Sequence, residues 1–438
     1  MEEGKVFLMI FKKQSPVRLI ALGFAAVILL GALVLMLPIS VNNGVTVTFV
    51  DALFTSTSAV CVTGLIVVDT ADTFTVFGRT IVALLIQIGG LGVTCVGVSF
   101  ILAAGKRIGL KERLLIKESW NIDSFKGVVK LLKDVLLLTL IFESVGAVLS
   151  FIVFSKDYPP LTALGISLFH SVAAFNNSGF DILGGLRNLI PYQSDVMLNL
   201  VTCGLIIFGG LGFLVILDII KNRSFKKLTL HSKVVITMTV FLLAAGTLLL
   251  KATEDITWLG AFFHSTSART AGFSTYPLGT FSNASLFVLT VLMFIGASPG
   301  STGGGIKTTT FFALIQAIKS VATNKPCTAF KRKIPTEVIS KAFIVTLLSA
   351  FVVCIGTFLL CILEPDCTFI QLLFEVTSAF GTVGLSTGIT PHLSDASKLI
   401  LTLTMYIGRL GALAIVTLWA FKPTPPLVRY SEENITIG

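Results

Sequence analysis

Charge is what this chain has least of. Asp, Glu, Lys and Arg make up 13% of its 438 residues, roughly half the share of a soluble domain and too little to cover a water-facing globule of this size. Cysteine is sparse, seven residues with no Cys-x-x-Cys pair, which excludes a disulfide framework and argues against a zinc or redox motif. Cys361 and Cys367 read as free thiols. The four histidines, His170, His231, His264 and His392, show no metal-ligand spacing and read as hydrogen-bonding or solvent-exposed. No Gly-x-Gly-x-x-Gly occurs, so no bound nucleotide or cofactor is assigned to this chain. No nucleophile–base cluster marks an enzyme. A cleavable leader is absent too: Met1-Glu2-Glu3-Gly4-Lys5 is too acidic for an n-region, and residues 6–10 are too short for an h-region.

Apolar length takes the place of all these. A 54% hydrophobic composition and a mean hydropathy of +0.92 predict an all-α, multi-spanning protein of the lipid bilayer. Crossing takes about 20 mostly apolar residues, and such stretches stand near 19–40, 76–104, 134–155, 195–220, 234–252, 284–318, 340–363 and 396–421. Eight spans put both ends on one side. Of the 33 Lys and Arg residues, 25 fall in 1–18, 104–133, 221–233, 319–341 and 422–438, all on the side of the N-terminus. Apart from Arg269 and Glu375, which belong to the re-entrant pieces and their glycine loops, the opposite connections carry only Arg79, Lys156, Arg187, Lys251 and Lys398 against eleven acidic residues. The positive-inside rule therefore places both termini in the cytoplasm of a cell-membrane protein. The net charge of +10 needs no nucleic-acid partner, and the acidic outer face concentrates cations.

The outward connections each hold an apolar piece too short to cross, roughly 49–60, 163–175, 257–268 and 368–380, which predicts re-entrant helices. They repeat in register. Gly64, Gly179, Gly272 and Gly384 are each followed by Leu or Phe and preceded ten residues earlier by Phe54, Phe169, Phe262 or Phe374. A second mark, Gly89, Gly209, Gly296 and Gly408, follows in the next span. Four copies of one unit result: span, re-entrant helix, glycine loop, span. Their bounds are 1–104, 105–222, 223–320 and 321–438. All four start and end inside, so they are same-orientation repeats around a pseudo-fourfold central pore.

Non-helical backbone at membrane depth must be buried in protein or line water. Four parallel glycine loops around one axis do both. The helix before each loop aims its C-terminus, with roughly half a negative charge, at the centre, which favours a cation. The residues before each glycine are Cys61-Val62-Thr63, Asn176-Asn177-Ser178, Arg269-Thr270-Ala271 and Gly381-Thr382-Val383. They would turn backbone carbonyls inward to replace hydration water, with the glycines supplying the backbone angles. No Asp or Glu stands among them, so the geometry points to a monovalent cation without choosing which.

The four loops Thr63-Gly64-Leu65, Ser178-Gly179-Phe180, Ala271-Gly272-Phe273 and Val383-Gly384-Leu385 combine with Ser298-Pro299-Gly300-Ser301-Thr302-Gly303-Gly304-Gly305 and Arg409. Together they resemble the Trk/Ktr/HKT superfamily of K⁺ transporters over essentially the whole chain, with eight spans looking more like the KtrB branch than the TrkH branch. The resemblance implies K⁺ as the transported ion, since all four filter positions are Gly, and Na⁺ as an activator in some relatives. It also implies a homodimer in a bacterial cell membrane, seated on a ring of separate nucleotide-binding RCK/KTN subunits. Such a ring would touch 104–133, 221–233, 319–341 and the tail.

By the same resemblance, residues 296–306, from Gly296 and Ala297 onward, form an intramembrane gating loop. The Gly-, Ser-, Pro- and Thr-rich run cannot stay helical at full strength; the structural alternative is a glycine-rich packing face. Residues 300–308 nearly fit a phosphate-binding loop, but one residue intrudes before Lys307 and no strand precedes it. Arg409 takes the repeat position filled elsewhere by Gly90, Gly210 and Ala297. A mid-span arginine costs on the order of 3 kcal/mol, which predicts a pore-facing electrostatic barrier below the filter; the alternative is an ion pair with Glu143 or Asp218. Arg269 is expected to point behind its loop and pin it, with Glu375 or Glu143 as partner. Lys307 stands at the loop's exit, and Gln87, Thr94 and Ser99 are assigned to packing. A Na⁺-coupled symporter, with the coupling ion at Glu143 or in the loop, is the second functional reading.

Overall fold

A computed structural model of the protein describes residues 15–103, 108–119 and 127–417, together with residue 433. The first unit comprises α1 (Pro16–Leu35), α2 (Phe49–Val60), α3 (Val76–Leu91) and α4 (Val93–Ala103), and a short helix α5 (Leu110–Ser119) follows it. The second holds α6 (Val128–Phe154), α7 (Pro160–Phe175), α8 (Val196–Leu211) and α9 (Phe213–Asn222). The third holds α10 (Leu230–Thr253), α11 (Trp258–Ser267), α12 (Asn283–Phe294) and α13 (Thr308–Thr323), with a small hairpin, Thr328–Ala329 against Arg332–Lys333, beyond it. The fourth holds α14 (Thr336–Leu363), α15 (Phe369–Gly381), α16 (Asp395–Leu410) and α17 (Ala412–Thr417).

Local chemistry sets these limits. The second span of every unit begins at a side-chain N-cap: Thr75, Asp195, Ser282 and Ser394 each accept a backbone N–H of the first turn. Each cap lies fourteen residues before the register glycine of its span. The first spans α1, α6, α10 and α14 are long and apolar enough to cross a bilayer. Leu22, Leu29, Leu30 and Leu33 on α1, and Leu137, Leu140 and Val148 on α6, stand exposed, a surface suited to lipid rather than water.

Each second span is interrupted, where the sequence predicts a break in the third unit alone. α3 and α4 meet at 97°, and α8 and α9 at 95°. The breaks fall at Gly92, Gly212 and Gly411, three residues past each register glycine, with φ of +90°, +92° and +88°, a region costly for any side chain. At the same offset the third unit has Pro299, and there the chain leaves helix altogether between Phe294 and Thr308.

Packing is cyclic. The second span of each unit lies on the re-entrant helix of the next: α3 on α7, α8 on α11, α12 on α15, and α16 back on α2. A further register, one that the sequence reading missed, ties each first span to its own re-entrant helix. Gly31, Gly146 and Gly246 face the hydroxyls of Ser56, Ser171 and Ser265, and Gly356 faces Val376, all too closely for a Cβ. The same serines donate to carbonyls of the first spans: Ser56 to Ile28 (2.7 Å), Ser171 to Glu143 (2.6 Å) and Ser265 to Leu243 (3.0 Å).

Candidate functional site

Around the axis the four glycine loops share one backbone pattern. The residue two before each glycine is left-handed (Val62 +58°, Asn177 +59°, Thr270 +78°, Thr382 +48°), and the glycine again has positive φ (+91°, +70°, +76°, +94°). Non-glycine residues resist that region, and four at one repeat position are held there by their surroundings. Cys61, Asn176 and Gly381, the third residue before the glycine in their loops, are fully buried. Thr63, Ser178, Ala271 and Val383 send their N–H groups back to the re-entrant helices, onto Ser58, Ala173, Ser267 and Ser378, at 2.7–2.9 Å. Their carbonyl oxygens, in residues with no solvent exposure, accept no hydrogen bond among the described residues.

Those carbonyls close a ring. A Cβ on Gly64 would overlap the carbonyl oxygen of Ser178, one on Gly179 that of Ala271, one on Gly272 that of Val383, and one on Gly384 that of Thr63. Each glycine thus faces the next loop in order, and the fourth faces the first. Buried, unpaired carbonyls are costly; a dehydrated cation at the centre is the partner their chemistry suits.

Beneath this ring lies the non-helical segment of the third unit. Gly303 and Gly304 press on the hydroxyls of Thr270 and Thr382, the left-handed residues of the third and fourth loops, leaving no room for a Cβ. The segment is tied to the second unit through Ser298 N–H on Gly210 (3.1 Å), Thr302 N–H on Gly209 (3.4 Å) and Phe213 N–H on Gly300 (3.1 Å). Lys307 donates to Gly303 (2.6 Å) and Gly304 (3.3 Å), folding its charge back onto the segment. Ser301 bonds Ser298 at 2.6 Å, and Gly296 and Gly305 abut each other. Gly300 and Gly305 take positive φ, while Ala297 is fully buried.

Arg409 makes neither of the ion pairs considered from sequence. Its guanidinium donates to the carbonyls of Thr302 in the third unit and Gly89 in the first. Asp218 is occupied instead by Asn222, Thr229 and Ser232, and Glu143 by Asn176 at 3.0 Å. A cavity of about 420 Å³ opens below, lined by Arg409, Lys307, Gly303, Ser301, Gly90 and Glu118.

Arg269 is buried, but not with the carboxylates expected. Glu375 accepts from Ser386 (2.6 Å), Thr387 (2.9 Å) and Thr390 (2.8 Å), and the Arg269 Nε has no partner among the described residues. His170 bonds Thr202 (2.9 Å) and His264 bonds Gly260 (2.9 Å). His231 sits in the first turn of α10 and His392 in a 3₁₀ turn, rather than in open loops. Gln87, read from sequence as packing, instead accepts from Asn176 at 2.8 Å. Its polarity in mid-span was the available signal.

Comparison with known proteins agrees with this architecture. The family model described as TrkH, cation transport protein, matches residues 22–257 and 228–430. The Ktr system potassium uptake protein B of Bacillus subtilis is 40% identical, with 97% of each chain covered. The potassium/sodium uptake protein NtpJ of Enterococcus hirae is 37% identical, with 98% of each covered. The crystal structure of the potassium transporter TrkH from Vibrio parahaemolyticus superposes with a TM-score of 0.72 at 19% identity, over 93% of this chain and 86% of that one, a likeness of fold. With family model and relatives spanning nearly its whole length, the chain belongs to the TrkH family of cation transport proteins.

Proposed function

We propose that this chain is the ion-translocating subunit of a K⁺ uptake system. Cations pass down their electrochemical gradient through a selectivity filter built from residues 61–64, 176–179, 269–272 and 381–384. One observation carries the reading: a closed ring of buried, unbonded carbonyls, each facing a glycine of the adjoining loop. K⁺ is favoured over other monovalent cations by the family resemblance that the four filter glycines carry and by the names of the Ktr relatives. Residues 296–306 act as the gate below the filter, and Arg409 adds both a positive charge and a latch across it. Both termini are placed in the cytoplasm by the lysine and arginine distribution.

Partners follow from the relatives, whose "Ktr system" names denote more than one component. We assign a homodimer on a separate nucleotide-binding RCK/KTN ring, touching residues 104–133, 221–233, 319–341 and the tail. Of these, residues 104–107, 120–126, 422–432 and 434–438 lie outside the described residues. A Na⁺-coupled symporter on the same architecture is a second reading, favoured by the potassium/sodium name of the Enterococcus relative; a reversal potential set by both ions would select it.

The test is K⁺ and Na⁺ uptake in cells lacking their own K⁺ systems, with and without a co-expressed ring subunit. Gly179→Ser forces a side chain into the Ala271 carbonyl at positive φ, a strain of about 1–3 kcal/mol. K⁺ uptake should fall at least about tenfold, with narrowed K⁺/Na⁺ preference and unchanged surface expression. Wild-type flux and preference in this variant would overturn the filter.

A further inference from the structure

Behind the second loop, three polar side chains from three elements converge at membrane depth. The Asn176 amide donates from Nδ2 to Gln87 Oε1 (2.8 Å), to Glu143 Oε1 (3.0 Å) and to the carbonyl of Val172 (2.9 Å). Gln87 belongs to α3 of the first unit and Glu143 to the middle of α6. Asn176 is fully buried, three residues before Gly179. Its other amide atom, Oδ1, faces Gly90 so closely that no Cβ fits there. Among the described residues, the equivalent positions of the other loops, Cys61, Arg269 and Gly381, show no such anchorage: Arg269 Nε has no partner there, and Gly381 has no side chain.

We infer that Glu143 is a positioning residue for ion selection, acting through Asn176 on the second filter loop. A carboxylate in mid-span costs about 2.5–3.5 kcal/mol on insertion scales and is kept where it serves a function. Here it does not face the ion path. It holds an amide whose own backbone begins the filter strand, and with Gln87 it ties that strand to the span on each side. A carbonyl ring tells K⁺ from Na⁺ by keeping its oxygens from closing on the smaller ion. Removing the anchor frees one wall of four to move inward. The loss then appears in discrimination rather than in total flux. The inference rests on the filter reading above, and its test separates the two.

The experiment measures the ratio of half-saturating Na⁺ to K⁺ for uptake in cells lacking their own K⁺ systems, beside the yield of monodisperse protein in detergent. Glu143→Leu should lower the ratio at least fivefold while maximal cation uptake stays within about twofold, and Glu143→Gln, which retains an acceptor oxygen, should restore most of it. Gln87→Met, uncharged and similar in volume, should lower it in the same direction by a smaller factor. It decides the matter if Glu143→Leu fails to reach the membrane. An unchanged ratio in Gln87→Met, together with an unchanged or unobtainable Glu143→Leu, overturns the positioning role. If Gly179→Ser narrows the ratio in that same outcome, the filter stands and only this inference falls; if Gly179→Ser also leaves it unchanged, the filter reading falls as well.

Discussion

Arg409 can occupy its position because the fourth unit alone leaves room there. The equivalent Gly90 is pressed by the Asn176 amide and Gly210 by that of Asn177, while Ala297 is buried in the non-helical segment of the third unit. From α16 the guanidinium reaches two carbonyls, 107 and 320 residues away in the sequence, and so fastens Thr302 to the first unit. Thr302 is held on its other side by Gly209, and its hydroxyl lies 3.5 Å from the Phe175 carbonyl. Arg409→Ala removes the latch and the charge together, so basal K⁺ flux without the ring subunit should rise several-fold. Arg409→Lys keeps the charge but not the planar fork that spans two acceptors. If latching dominates, its flux should approach that of the Ala variant; if the charge dominates, it should stay near wild type. The arginine was conspicuous in the sequence as a lone charge in an apolar run. Its acceptors were not, because every residue has a carbonyl and only the fold brings these two near.

Among the elements, the glycine breaks in the second spans of the second and fourth units show how one residue type serves two purposes. Gly212 and Gly411 have nearly equal φ, +92° and +88°. A Cβ on Gly411 meets nothing within 4 Å, whereas one on Gly212 meets the Pro299 carbonyl at 2.7 Å. Alanine costs about 1–2 kcal/mol of backbone strain at either site, but only at Gly212 does it also displace the non-helical segment of the third unit. Gly212→Ala should therefore change basal flux measurably in the uptake assay, while Gly411→Ala lowers thermal stability with flux nearly unchanged. Glycine at both positions was readable in the sequence; which one touches that segment was not.

The outer ends of the third and fourth units are clasped alike. Glu254 accepts the N–H of Ser282 (2.6 Å) and Glu364 that of Ser394 (2.8 Å), each joining the end of the first span to the cap of the second. Burial pushes both carboxyls up, but the serine hydrogen bonds outweigh it and hold them below the usual carboxylate range. A depressed folded pKa gives stability that is full above the unfolded value of about 4.3 and is lost as pH falls through the folded value. Hydrogen exchange at the starts of α12 and α16 should accelerate below about pH 4, beyond its intrinsic pH trend, and Glu364→Gln should weaken that pH response at α16 alone.

For the molecule as a whole, the ring must be closed between its first and last units. Lys398 of α16 meets Asp51 of α2 at 3.0 Å, with both side chains largely buried. Removing one partner of such a pair leaves a poorly solvated charge, at a cost on the order of 2–3 kcal/mol. Lys398→Met should lower the melting temperature in detergent, and the double variant with Asp51→Asn should lose less than the two single losses added together. Additive losses would show that the pair does not couple the ends.

The sequence by itself determined the membrane environment, the fourfold unit, the re-entrant helices and the positions of the loop glycines. Apolar length, charge asymmetry and backbone freedom are properties of short segments, and they survive in a linear text. The tertiary structure alone decided which loop each glycine faces around the axis, that the second spans of the first and second units bend sharply, and which groups Arg409, Arg269 and Glu143 do or do not meet. Those depend on distances between residues far apart along the chain, and a hydrogen-bond partner is chosen by proximity and the cost of leaving a buried polar group alone, neither of which residue order records.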